Sequence, residues 1–148
     1  MKRISATRRY DVSVERAFAF VTNPENWWKF WPGYVRLEPG SHWNASGDEA
    51  RLVARLLGRE RALTLTLTTF EPNRLVGYTS TQPGLPDAHH ERHFEPDSDG
   101  FVYRLVVEYE PRARLTWIFD ATLLPLAIRF ALKRTFTALE QEFRRTPA

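Results

Sequence analysis

The sequence contains no cysteine. That excludes a disulfide framework, a thiolate metal site and a cysteine nucleophile. Glycine is scarce at seven, and none of the seven falls in a phosphate-cradling loop, a G-x-S-x-G elbow or a dinucleotide fingerprint. Without these, and without an H-E-x-x-H pair, kinase, serine-hydrolase, zinc-protease and Rossmann-dehydrogenase chemistry lose their sequence support. Long apolar runs are also missing. The longest apolar stretch, Ala121 to Ala131, is interrupted by Thr122, Pro125 and Arg129, and no secretory-type run opens the chain. The expectation is a cytoplasmic protein with no integral membrane segment. One-sided charge is missing too: 21 basic against 18 acidic residues leave only +3, spread in short pairs such as Lys2-Arg3 and Arg8-Arg9. With no helix-turn-helix, zinc-finger or RNA-recognition signature beside it, this balance describes a solvated surface and no nucleic-acid partner.

What the chain has in quantity is rings. Aromatics make up 14% of its 148 residues, a length that fits one domain over 1–148. Rings in that number either fill a wide interior or line one. Three tryptophans crowd one short segment, Asn23-Pro24-Glu25-Asn26-Trp27-Trp28-Lys29-Phe30-Trp31-Pro32-Gly33. Asn23 can cap a helix there, Pro24 suits its first position and Pro32-Gly33 ends it. Just before it, Ser13 can cap a helix whose Val14, Phe18 and Val21 share one face. Trp27 and Trp31 are four apart and should face together, which leaves part of the segment as a possible apolar patch for a membrane, a partner or a homodimer.

Most of the remaining chain reads as strand. A first strand spans 3–11, and further strands span 34–38, 47–57, 61–71, 75–81, 89–95 and 101–109. In 61–71, Leu63, Leu65 and Leu67 point one way and Thr64, Thr66 and Thr68 the other. Phe101, Tyr103, Leu105, Val107 and Tyr109 share a face in the last strand. Short polar turns between consecutive strands imply an antiparallel meander, with Pro96 to Gly100 as one hairpin turn. A helix resumes near Leu115, with a kink or restart expected at Pro125. Ile128, Leu132, Phe136, Leu139 and Phe143 then form one apolar stripe.

The segment His89-His90-Glu91-Arg92-His93-Phe94 carries the densest chemistry. Strand alternation puts His90, Arg92 and Phe94 on one face and His89, Glu91 and His93 on the other. Phe94 marks the inner face, so His90 is available as an acid or base and Arg92 as a holder of an anionic or enolate oxygen. The outer set superficially resembles a two-histidine, one-carboxylate metal site. Alternate residues on one strand lie roughly 7 Å apart, too far for one common ion, and no remote ligand is apparent. No metal and no cofactor are expected.

This order of elements resembles the helix-grip fold of the START-like, or SRPBCC, superfamily, and within it the polyketide cyclase/dehydrase and lipid-transport branch. The resemblance rests on Val12-Ser13-Val14-Glu15-Arg16-Ala17-Phe18, on Asn23-Pro24-Glu25-Asn26-Trp27 with Trp31-Pro32-Gly33, on Phe94-Glu95-Pro96 with Gly100, and on Thr135-Phe136-Thr137-Ala138-Leu139-Glu140. It implies an α+β fold in which a seven-stranded antiparallel sheet wraps around a long C-terminal helix, with two short helices after the first strand. It also implies an internal cavity for a small hydrophobic ligand: aromatic, polyketide or lipid-like. Trp27, Trp31, Leu65, Tyr78, His90, Arg92, Tyr103 and Leu105 are the expected ligand-binding residues. Two alternatives accompany this reading. One is a polyketide cyclase or dehydratase using the same cavity, and the other is an interaction module presenting the tryptophan-rich segment.

Overall fold

A computed structural model describes residues 1–145. Strand β1 (Lys2–Tyr10) leads into helix α1 (Val14–Thr22), a 3-10 helix (Pro24–Lys29), β2 (Tyr34–Leu37), β3 (Glu49–Leu56), β4 (Arg59–Glu71), β5 (Leu75–Thr81), β6 (Ala88–Asp97), β7 (Gly100–Tyr109) and the long helix α2 (Leu115–Arg145). The strands form one sheet in the order β1-β7-β6-β5-β4-β3-β2, antiparallel at every pairing. This is the seven-stranded helix-grip arrangement that the sequence leads one to expect.

Local chemistry explains the short helices. Ser13 caps α1, its Oγ accepting from the Arg16 backbone N–H at 3.3 Å. Val14, Ala17, Phe18 and Val21 are the buried face. The second helix is shorter and tighter than an α-helix. Asn23 Oδ1 accepts from the Glu25 N–H at 3.1 Å, Pro24 begins the helix, and it stops at Lys29. Gly33 then adopts φ +73°, and a Cβ there would stand 2.2 Å from the Arg55 carbonyl oxygen. Only glycine lets this turn press against β3, where the Arg55 N–H donates to the Gly33 carbonyl at 2.7 Å.

Two hairpins are tighter than the sequence suggests. β4 starts at Arg59, because Leu57 (φ 53°) and Gly58 (φ 77°) complete a two-residue turn with positive φ at both central positions. β6 runs on through Pro96, paired with Phe101, to Asp97, paired with Gly100, so the loop is only Ser98-Asp99. A register shift between Leu67 and Thr69 interrupts the β4–β5 ladder. Such a bulge adds bend and twist, which a sheet needs to curl around a helix.

Helix α2 is continuous through Pro125, so the expected restart does not occur. The proline forgoes one backbone hydrogen bond, and the turns on either side carry the helix past it. The C-terminal half of α2 is gripped. Leu132, Phe136, Leu139 and Phe143 are buried, and the Tyr10 hydroxyl donates to the Phe136 carbonyl at 2.8 Å. The N-terminal half is tied down at its start. Asp120, with a fully buried side chain, accepts from Arg112 Nε and Nη2 at 2.9 Å each and from the Arg112 backbone N–H at 2.8 Å. The Tyr109 hydroxyl donates to the Asp120 carbonyl. Outside those ties this half presents Trp117, Ile118, Leu123, Leu126 and Phe130 at the surface. By length and composition α2 could cross a membrane, but here it is the helix the sheet grips.

Candidate functional site

The rings are divided unevenly under the sheet. At one end Phe18, Phe94, Phe101, Tyr103, Phe136 and Phe143 pack edge to face, tilted or, for Phe94 on Phe101, stacked, with centroids from 4.9 to 6.4 Å apart. That end is filled. At the other end, between β3 to β7 and the middle of α2 (124–135), lies a cavity of about 540 Å³. The size suits a drug-sized organic molecule. Helix α2 makes room for it. Ala127 and Ala131, four residues apart, face the space with Thr135 a turn further on, where larger side chains would close it. Leu63 and Leu65 of β4 form the apolar floor. The β3–β4 turn with Leu57, the β5–β6 loop with Leu85, and Phe130 of α2 contribute to the rim.

A polar cluster stands against this apolar wall, and strand register builds it. Tyr78 pairs with His90 across β5 and β6, and their rings stack at 4.6 Å with an interplanar angle of 5°. His90 Nε2 lies 2.9 Å from Ser80 Oγ. Arg92 sits diagonally between two phenols, donating from Nη1 to the Tyr103 hydroxyl at 2.6 Å and from Nη2 to the Tyr78 hydroxyl at 3.2 Å. Its guanidinium carbon also lies 5.6 Å from the Trp31 ring centroid and 5.8 Å from that of Tyr78, within cation–π range. His90 and Arg92 keep partial accessibility only because the cavity admits it; both lie beneath the sheet.

Burial sets the electrostatics. It drives the His90 imidazole down to about 3, with the positive charge of Arg92 adding to the effect, so His90 is neutral at physiological pH. Tyr103 is pushed up by burial, against the pull of Arg92, and stays a phenol. Burial opposes the charge of Arg92, but the Tyr103 and Tyr78 hydroxyls outweigh it and the guanidinium is held above its ordinary value. Among the described residues, no carboxylate takes part in holding it.

Of the residues the sequence singles out, Trp31, Leu65, Tyr78, His90 and Arg92 come together on the cavity wall. Trp27, Tyr103 and Leu105 stand one layer back, buried in the core. Trp27 donates from Nε1 to the Val21 carbonyl at 2.9 Å and holds Trp31 at 5.1 Å between ring centroids, while Tyr103 holds Arg92. The tryptophan-rich segment faces mainly inward. Trp27 and Phe30 are buried, Trp31 is half-buried, and Trp28 is the one ring of that segment left outside, 61% exposed. On the outer face, His89 and His93 flank Glu91, their Nε2 atoms 3.5 and 2.8 Å from its carboxylate oxygens. No cluster of three metal-binding side chains occurs among the described residues.

Ser80, Gln82, Thr135, Arg55 and Arg134 also line the cavity and were not anticipated. Ser80 was within reach, because it lies two residues from Tyr78 and so on the same strand face. The others depend on the loops and on the rotation of α2.

The sequence pattern of one family matches residues 1–144, nearly the whole chain. The chain belongs to the polyketide cyclase/dehydrase and lipid transport family. No curated protein sequence matches it. Among solved structures, the Zhui aromatase/cyclase from a Streptomyces species superposes with a TM-score of 0.82 at 15% identity, covering 97% of this chain and 94% of that one. A START superfamily protein from Mycobacterium smegmatis superposes with a TM-score of 0.80 at 13% identity, covering 97% of each chain. At such identities the likeness establishes the START-like, SRPBCC fold and leaves the chemistry to the site itself.

Proposed function

We propose that this protein binds a small hydrophobic molecule, aromatic, polyketide-derived or lipid-like, inside the 540 Å³ cavity, with one polar end of the ligand against Arg92 and Tyr78. One observation carries the reading: a largely apolar chamber with a cluster of mutually held polar groups, Tyr78, Ser80, His90 and Arg92, on its wall. Apolar walls supply affinity through burial, at about 25 cal/mol per Å² before the costs of binding, and a few fixed polar atoms supply orientation. Trp31, Leu65 and Tyr78 would contact the apolar body of the ligand. Trp27 and Tyr103 would act from behind by holding Trp31 and Arg92. Titration with the neutral fluorophore Nile red tests this directly. One saturable site, emptied by competing apolar compounds, supports the reading, and the absence of saturable binding opposes it.

A second reading uses the same groups for catalysis. Arg92 would hold the oxygen of an enolate formed from a β-ketone while His90 accepts the α-proton, as a cyclase or dehydratase requires. The convergence of His90, Ser80 and Arg92 inside one cavity favours it. The depressed proton affinity of His90 weighs against it, since a base held near 3 is poorly matched to proton abstraction at neutral pH. Binding is therefore the leading function. The reading of the tryptophan-rich segment as a partner surface is weaker still, because Trp28 alone of its large rings faces outward.

A further inference from the structure

We propose that the cavity's ligand ends in a single carboxylate, and that Arg92 selects for it. This rests on the cavity-binding reading above and narrows its ligand class. Arg92 is a permanent cation in an apolar chamber, and the groups that hold it are neutral: two phenol hydroxyls and the faces of Trp31 and Tyr78. A buried charge without a counter-charge is costly, and in folded proteins such groups are normally paired. Here no described residue supplies a counter-charge. None of the described residues lining the cavity is Asp or Glu, while Arg55 and Arg134 join Arg92 on its walls. Arg55 is exposed and ion-paired with Glu60 at 3.5 Å, and Arg134 is exposed, so among the described residues Arg92 is the unpaired cation inside the chamber.

The hydrogen bonds point the same way. Arg92 has five N–H groups, and the two phenols take one from each terminal nitrogen, so the guanidinium keeps donors for another acceptor. Tyr78 accepts from Arg92 and lines the cavity, so its own hydroxyl proton is free to donate to the same incoming oxygen. A carboxylate fits this planar fork and carries one negative charge to match one guanidinium. A phosphate monoester carries nearly two at neutral pH and would leave one uncompensated. His90, neutral and stacked on Tyr78, adds no competing cation.

The test uses the purified full-length protein loaded with Nile red and displaced by dodecanoate, methyl dodecanoate or monododecyl phosphate at pH 7.5. Dodecanoate should displace the dye at least tenfold more tightly than its methyl ester, and more tightly than the phosphate. Arg92→Met should weaken dodecanoate at least tenfold and the methyl ester by much less, so that the acid-over-ester preference collapses. The wild-type preference should also vanish as pH falls below the fatty acid's own pKa, near 4–5 for a carboxyl group. That arm needs no variant and so does not depend on how Arg92→Met folds. Equal affinity of acid and ester for the wild type would overturn the proposal and leave the cavity reading intact. Tighter binding of the phosphate would overturn the choice of carboxylate. If neither the dye nor any of the three compounds binds, the cavity reading itself fails and takes this one with it.

Discussion

At the residue scale, His90 links electrostatics to stability. Its folded-state proton affinity is depressed to about 3 against an ordinary 6.5. A group depressed in this way contributes stability that is fully present above 6.5. That stability is lost progressively as pH falls towards 3, because the unfolded chain then binds a proton that the folded chain refuses. Between pH 6.5 and 5 the protein should lose stability with a slope of up to about 1.4 kcal/mol per pH unit from this residue. His90→Gln should flatten that part of the curve, as followed by thermal unfolding at a series of pH values. If the slope persists in the variant, His90 is not the source. Gly33 makes a second residue-scale case. A Cβ would collide with the Arg55 carbonyl, and φ is positive. Gly33→Ala should cost about 1–3 kcal/mol, read as a lower urea midpoint at unchanged m-value.

Elements decide which of these residues meet. The alternation of β4 and the ring-marked face of β7 were legible in the sequence because strand period is local. Phe94 alone sufficed to assign His90 and Arg92 to the inner face, by parity. The hollow and filled ends could not be told apart that way. That difference comes from six rings converging from four elements at one end, and from Ala127 and Ala131 facing the sheet at the other. Nor could parity tell which inward residues line the space, which is why Trp27, Tyr103 and Leu105 lie behind the wall. The depth of α2 over the cavity depends on its tether. Asp120 has a wholly buried side chain, with Arg112 holding its carboxyl well below the usual carboxylate range. Asp120→Ala removes three hydrogen bonds and should cost about 1–3 kcal/mol. It should also raise amide exchange through the first turns of α2 more than in the gripped C-terminal half. Uniform exchange along the helix would mean that the pair adds nothing to the local hold.

At the scale of the whole molecule, a curled sheet grips the C-terminal part of a long helix and leaves a chamber beside its middle. Space and chemistry are thereby separated: packed rings stabilise one end, and the other end is free to vary its contents. The most direct test of the central claim is steric. Ala131→Trp places a large ring in the chamber from the helix side while leaving Arg92, His90 and Tyr78 themselves unchanged. Nile red binding should be measured for wild type and variant side by side, with circular dichroism showing both folded. The account predicts one saturable site in the wild type and at least a tenfold loss in the folded variant. Unchanged binding by Ala131→Trp would contradict it, because the ligand would then lie somewhere other than between the sheet and the helix.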